Sequence, residues 1–148
     1  MGEQERGGLT PEGQAARMAR QIGDEEWRKG NTKYALEAYE VSNITSDELL
    51  GMAEKLLKAA DIALSRKSDL REALCECSHR IIPIANLRRG CERNCPACKI
   101  TEVIDKRFFP MMAEALGWNE QIVRQDVRPE FYRSAAVACL KLIKRMAA

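Results

Sequence analysis

The sequence predicts an all-α protein whose helices pack as antiparallel hairpins in a bundle. Three observations carry this expectation. Apolar residues recur at steps of three and four through most of the 148 residues, and no segment shows the strict alternation of a half-buried strand. The apolar share, 45%, is drawn from Ala, Leu, Ile and Met with only 5% aromatic residues, which suits helices better than sheets. Capping and stop residues then cut the periodic pattern into helix-sized pieces.

From the N-terminus, 1–9 is charged and glycine-rich and reads as a disordered lead-in, leaving 10–148 as one all-α domain. A chain of this length buries roughly two-thirds of its unfolded surface and does not depend on a metal merely to fold. Thr10-Pro11-Glu12 starts the first helix, which runs to about Lys29 and buries Ala15, Ala19, Ile22 and Trp27. Gly30-Asn31 turns the chain into a second helix, Thr32 to Val41, with Ala35, Ala38 and Tyr39 on one face.

Ser46-Asp47-Glu48 caps a third helix, whose stripe is Leu49, Leu50, Ala53, Leu56, Leu57, Ala60 and Leu64. Ser68-Asp69 opens a fourth along Leu70, Leu74, Cys77, Ile81 and Ile84; Pro83 kinks or splits it, and Gly90 ends it. The N-terminal helices thus span 10–66 and the cysteine-rich C-terminal helices 68–148. A fifth helix starts at Cys95-Pro96, carries Ile100, Val103, Ile104, Phe108, Met111, Met112 and Leu116, kinks at Pro110 and stops at Gly117. Asn119 to Arg124 forms a short helical turn. The last helix leaves Arg128-Pro129-Glu130 through Phe131, Ala135, Cys139, Leu142, Ile143 and Met146.

Within Ala19 to Ser42, Ile22-Gly23 supplies a large and then a small residue on the first helix, and Ala35 and Tyr39 supply a small residue and an aromatic on the second. Aligned on the Gly30-Asn31 turn, this segment resembles one tetratricopeptide-repeat unit, with Trp27 one position from that motif's usual aromatic. A degenerate second copy runs from about Leu57 to Arg80, with Ala73 and Cys77 in the places of Ala35 and Tyr39. The microtubule-interacting-and-trafficking domain carries a similar helical-hairpin pattern. Such a resemblance implies close helix pairs, with small residues admitting the neighbouring backbone, and a surface that works by contact rather than catalysis.

The cysteines carry the strongest chemical signal. Five of six, and the only histidine, lie between 75 and 98: Cys75-Glu76-Cys77-Ser78-His79, then Cys91, Cys95 and Cys98. Pro96 makes Cys95 an N-cap candidate and puts Cys98 in the first turn, where free N–H groups and the helix dipole stabilise thiolate. Cys91 folds back as a third donor. A structural zinc asks for four ligands, so Cys77, Cys75 or His79 is the candidate fourth. A continuous helix would hold Cys77 roughly 20 Å from Gly90, so closure of the site requires a turn at Pro83. Otherwise Cys77 is a core residue, and Cys139, among alanines and Leu142, is packing in either case.

Zinc is therefore the expected cofactor, with an Fe–S cluster the alternative on thiolate count. Cys91, Cys95 and Cys98 have the spacing radical-SAM enzymes use, but a short strandless chain has no β/α barrel to surround such a cluster. A reactive dithiol is the third reading of the same residues.

Net charge is +2, split as 12 acidic and 8 basic residues up to Leu64 and 10 acidic and 16 basic from Ser65, so −4 and +6. Arg80, Arg88, Arg89, Arg93, Lys99, Lys106 and Arg107 surround the cysteines and make nucleic acid a candidate partner beside a protein partner. No apolar run suits a signal peptide or a membrane span, which predicts a cytoplasmic protein whose thiols stay reduced and no membrane partner. Glu92 and Glu102 could serve a hydrolytic zinc, yet each reads more simply as surface charge. With no serine–histidine pair, phosphate loop or carboxylate dyad, the chain reads as a metal-binding helical adaptor for protein–protein interaction rather than an enzyme. A redox sensor and a nucleic-acid-binding regulator are the alternatives.

Overall fold

The computed structural model describes residues 10–76 and 96–147, with the side chains of 74–76 and 96–98 excepted. Six helices occupy these residues: α1 Pro11–Arg28, α2 Thr32–Glu40, α3 Ser46–Glu76, α4 Pro96–Leu116, α5 Glu120–Gln125 and α6 Pro129–Ala147. No strand occurs among the described residues.

Local chemistry sets the helix ends. Thr10 caps α1 by accepting from the Gly13 N–H at 3.0 Å, and Pro11 sits at the first helical position. Gly30 turns the chain with φ +81°, and a Cβ there would stand 2.6 Å from Ile122, so both backbone and space require glycine. α3 opens on a reciprocal cap: Thr45 Oγ1 accepts from the Glu48 N–H at 3.2 Å, and Glu48 accepts from the Thr45 N–H at 3.2 Å. The cap is thus Thr45, one residue before the Ser46 expected from sequence. α4 continues through Pro110 and ends at Gly117 (φ +71°). Asn119 caps α5 by accepting from the Gln121 N–H.

α3 is the central helix and packs against both α6 and α4; α1 packs on α2, α2 on α6, and α5 on α4. Buried residues of α3 run from Leu49 to Ala63 and those of α4 from Phe108 to Leu116, in one core with α6 residues Tyr132, Ala136, Cys139 and Leu142. The N-terminal part of α3 therefore meets the C-terminal part of α4, and Arg66 clamps Asp105 at 2.7 Å further along, so the two helices run antiparallel. Glu40 at the end of α2 pairs with Arg145 near the end of α6 at 3.3 Å. The short 41–45 link starts α3 at that same end, and α6 returns antiparallel to it. Trp27 and Trp118 meet edge-to-face at 5.6 Å and join the α1–α2 hairpin to the α4–α5 corner.

Several sequence expectations need correction. Ser68-Asp69 does not open a helix; both residues lie inside the 31-residue α3. No Gly or Pro interrupts 52–82, and propensity for Ala, Leu, Lys and Arg carries the helix across a local cap signal. The turn that a second hairpin copy would need at that point is absent. Ala15, Ile22, Leu50, Leu57, Leu64, Val103, Met111 and Met146 are exposed rather than core. The buried line of α3 keeps the expected Leu49, Ala53, Leu56 and Ala60 and adds Ala59 and Ala63; its alanines let α4 and α6 approach closely. The expected break at Pro83 and end at Gly90 lie outside the described residues.

Candidate functional site

Two places could carry function: the end of the α3–α4 pair, where the cysteines gather in sequence, and a groove between α2 and α6. Because α3 and α4 are antiparallel, the last turn of α3, containing Cys75, and the first turn of α4, containing Cys98, lie at one end of the pair. Helical backbone is described at both positions; their side chains, and Cys77, His79, Cys91 and Cys95 entirely, lie outside the described residues. Among the described residues no group of three His, Cys, Asp or Glu could hold a metal ion.

Cys139 is the free cysteine whose side chain is described. It is fully buried, and burial pushes its thiol up to about 11, which makes it a packing residue rather than a ligand. Of the basic residues near the cysteines, Arg80, Arg88, Arg89 and Arg93 lie outside the described residues. Lys99 is exposed, Lys106 pairs with Glu102 at 3.7 Å, and Arg107 pairs with Asp69 at 3.7 Å while resting over Phe108. Glu102, weighed as a general base, is thus engaged on its own helix face, and Glu92 lies outside the described residues.

The groove was not legible in sequence. It encloses about 340 Å³ between α2 and α6, with Leu36, Phe131, Ala135 and Ala138 as its apolar lining and Lys33, Glu37, Ser134 and Lys141 on its walls. The Glu40–Arg145 pair closes one end. Lys33, Glu37 and Lys141 make no ion pair with any described residue. Two helices 97 residues apart in sequence build it, and only Leu36 lies on an apolar position that periodicity could have flagged for α2.

A polar network braces the hairpin beside the groove. The buried Tyr39 hydroxyl donates to Asp24 at 2.6 Å, Arg20 donates to the same carboxylate at 3.2 Å, and Arg20 also bridges to Glu48 at the start of α3. Burial first, then the Asp24 carboxylate, raises the Tyr39 phenol well above its ordinary value. The hydrogen bond from Arg20 holds Glu48 below the usual carboxylate range. These groups serve the fold. No described helix is long and apolar enough to cross a membrane.

Comparison of the chain with protein-family models, curated proteins and solved structures returns no match.

Proposed function

We propose that this chain is a small helical adaptor that binds a protein partner, with a zinc ion held by the cysteine segment linking α3 to α4. The observation that carries the reading is the α2–α6 groove, an apolar trough between two helices with uncommitted lysines on its walls. Its chemistry suits a short amphipathic helix that offers an apolar ridge and carboxylates to Lys33 and Lys141. The metal is supported by donor chemistry: Cys91, Cys95 and Cys98, with Cys77, Cys75 or His79 as fourth donor, form a soft set suited to zinc. The antiparallel course of α3 and α4 removes part of the distance objection, since the 77–95 link leaves and returns at one end of the pair.

The metal half is tested by elemental analysis and absorbance of protein purified without oxygen. Colourless protein with stoichiometric zinc, lost in Cys95→Ser, is the expected result. Iron with visible absorbance would favour the cluster reading, and metal-free protein with Cys95 and Cys98 joined would favour a dithiol. The groove is tested with a panel of acidic amphipathic helical peptides. Binding should weaken in salt and in Lys33→Glu/Lys141→Glu; equal binding by parent and variant would overturn it.

A further inference from the structure

Three of the five leucines that periodicity assigns to the core of α3 lie outside it. Leu50, Leu57 and Leu64 are 45%, 44% and 44% exposed, and Val137 and Leu140 on α6 are 47% and 43% exposed. On α3, Glu48 faces α1 and Arg66 faces α4; they are 18 residues apart, five full turns, so both partners sit on one side. Leu57 is nine residues from each, two and a half turns, and points to the opposite side. On α6, Phe131 lines the groove toward α2, and Leu140, nine residues on, again points the opposite way. The α3–α6 pair therefore has an outer face that no described helix covers.

That face has a pattern. On α3 the seam reads Leu50, Glu54, Leu57, Asp61, Leu64, and on α6 it reads Arg133, Val137, Leu140, Lys144, both in alternating steps of four and three. These steps are the heptad spacing of a coiled-coil contact. The polar positions are acidic on α3 and basic on α6, and none of the four charges has an ion pair with a described residue. A face that is acidic along one edge and basic along the other complements itself under a two-fold axis lying between the copies and parallel to the helices. Such an axis sets each α3 against the other copy's α6.

We infer that the chain forms a symmetric homodimer through this face, α3 of one copy packing along α6 of the other. The apolar seam on α3 from Leu50 to Leu64 is about 21 Å long, two heptads carrying three leucines. Glu54 and Asp61 meet the basic edge carrying Arg133 and Lys144. The inference is independent of the metal and of the α2–α6 groove.

Sedimentation of the full chain with reductant, with and without chelator, tests it. The expected result is a reversible monomer–dimer equilibrium that weakens in salt. Leu57→Glu and Leu140→Glu should each raise the dissociation constant by about tenfold or more while leaving the helical circular dichroism intact, because both side chains are at the surface. Glu54→Lys/Asp61→Lys should weaken the dimer, and adding Arg133→Glu/Lys144→Glu should restore it. A parent chain that stays monomeric, a dimer that survives both leucine variants, or a dimer that reductant or chelator abolishes would each overturn the inference.

Discussion

Gly23 lies against the ring of Tyr39: a Cβ at position 23 would stand 2.4 Å from the nearest ring carbon. Tyr39 is 1% exposed, so the ring has nowhere to move, and α1 and α2 approach as closely as they do because position 23 has no side chain.

Gly23→Ala should therefore destabilise the fold by about 1–3 kcal/mol through overpacking, despite alanine's better helix propensity. Gly51→Ala is the control of opposite sign. A Cβ there meets nothing within 4 Å, and the position is inside α3, so a gain of about 0.4–1 kcal/mol is expected. Urea unfolding of the two variants checks the pair; equal signs would show that the Gly23 contact is not tight.

Tyr39 offers a graded test of the same interface. Tyr39→Ala should cost about 3–5 kcal/mol, as large-to-small core changes do. Tyr39→Phe removes only the hydroxyl bonded to Asp24 and should cost about 1.5–3 kcal/mol. If Tyr39→Ala leaves thermal stability unchanged, the α1–α2 packing is not what holds the hairpin.

Stability should fall on the acid side through two carboxylates. Hydrogen bonds from Arg20 to Glu48 and from Arg128 to Asp126 hold both folded-state values below their ordinary 4.5 and 3.8. The folded chain thus binds fewer protons than the unfolded one, and this stability is present above those ordinary values and lost as pH drops below them. Urea midpoints followed from neutral pH downward should show a shallower acid limb in Glu48→Gln/Asp126→Asn than in the parent.

The alkaline side works in the opposite sense. Burial lifts the Tyr39 and Tyr132 phenols well above 10.0, so their contribution is complete below that value and is lost as pH rises beyond it, where only the unfolded chain ionises. Ultraviolet titration should show these two tyrosines ionising together with loss of helix, not before it.

Cys139 should resist thiol reagents in the native protein and react only in denaturant, because its thiol is buried and pushed up to about 11. Alkylation followed by peptide mass mapping reads this directly. Rapid native labelling of Cys139 would mean that the α3–α6 interface opens readily.

Helix existence was legible in the sequence because it is local. Thr10-Pro11, Gly30, Gly117, Asn119 and Pro129 act on their own turns, and the structure uses each of them. The inward positions of Ala35, Tyr39, Leu56, Met112 and Leu142 were legible for the same reason, each lying mid-stripe on its helix. Along α3 the expected Leu49, Ala53, Leu56 and Ala60 go inside, Ala59 and Ala63 join them, and Leu50, Leu57 and Leu64 on the neighbouring line stay out. That choice belongs to tertiary structure, because the free energy of close helix approach depends on what α4 and α6 present, and neither is visible from α3 alone. The cap at Ser68-Asp69 yielded to the length of α3 for a related reason: a weak local signal is overridden when packing and propensity run through it. The cysteines suggest a site by spacing alone, at positions whose side chains lie outside the described residues, whereas the α2–α6 groove and the outer α3–α6 face arise only where helices distant in sequence are brought side by side.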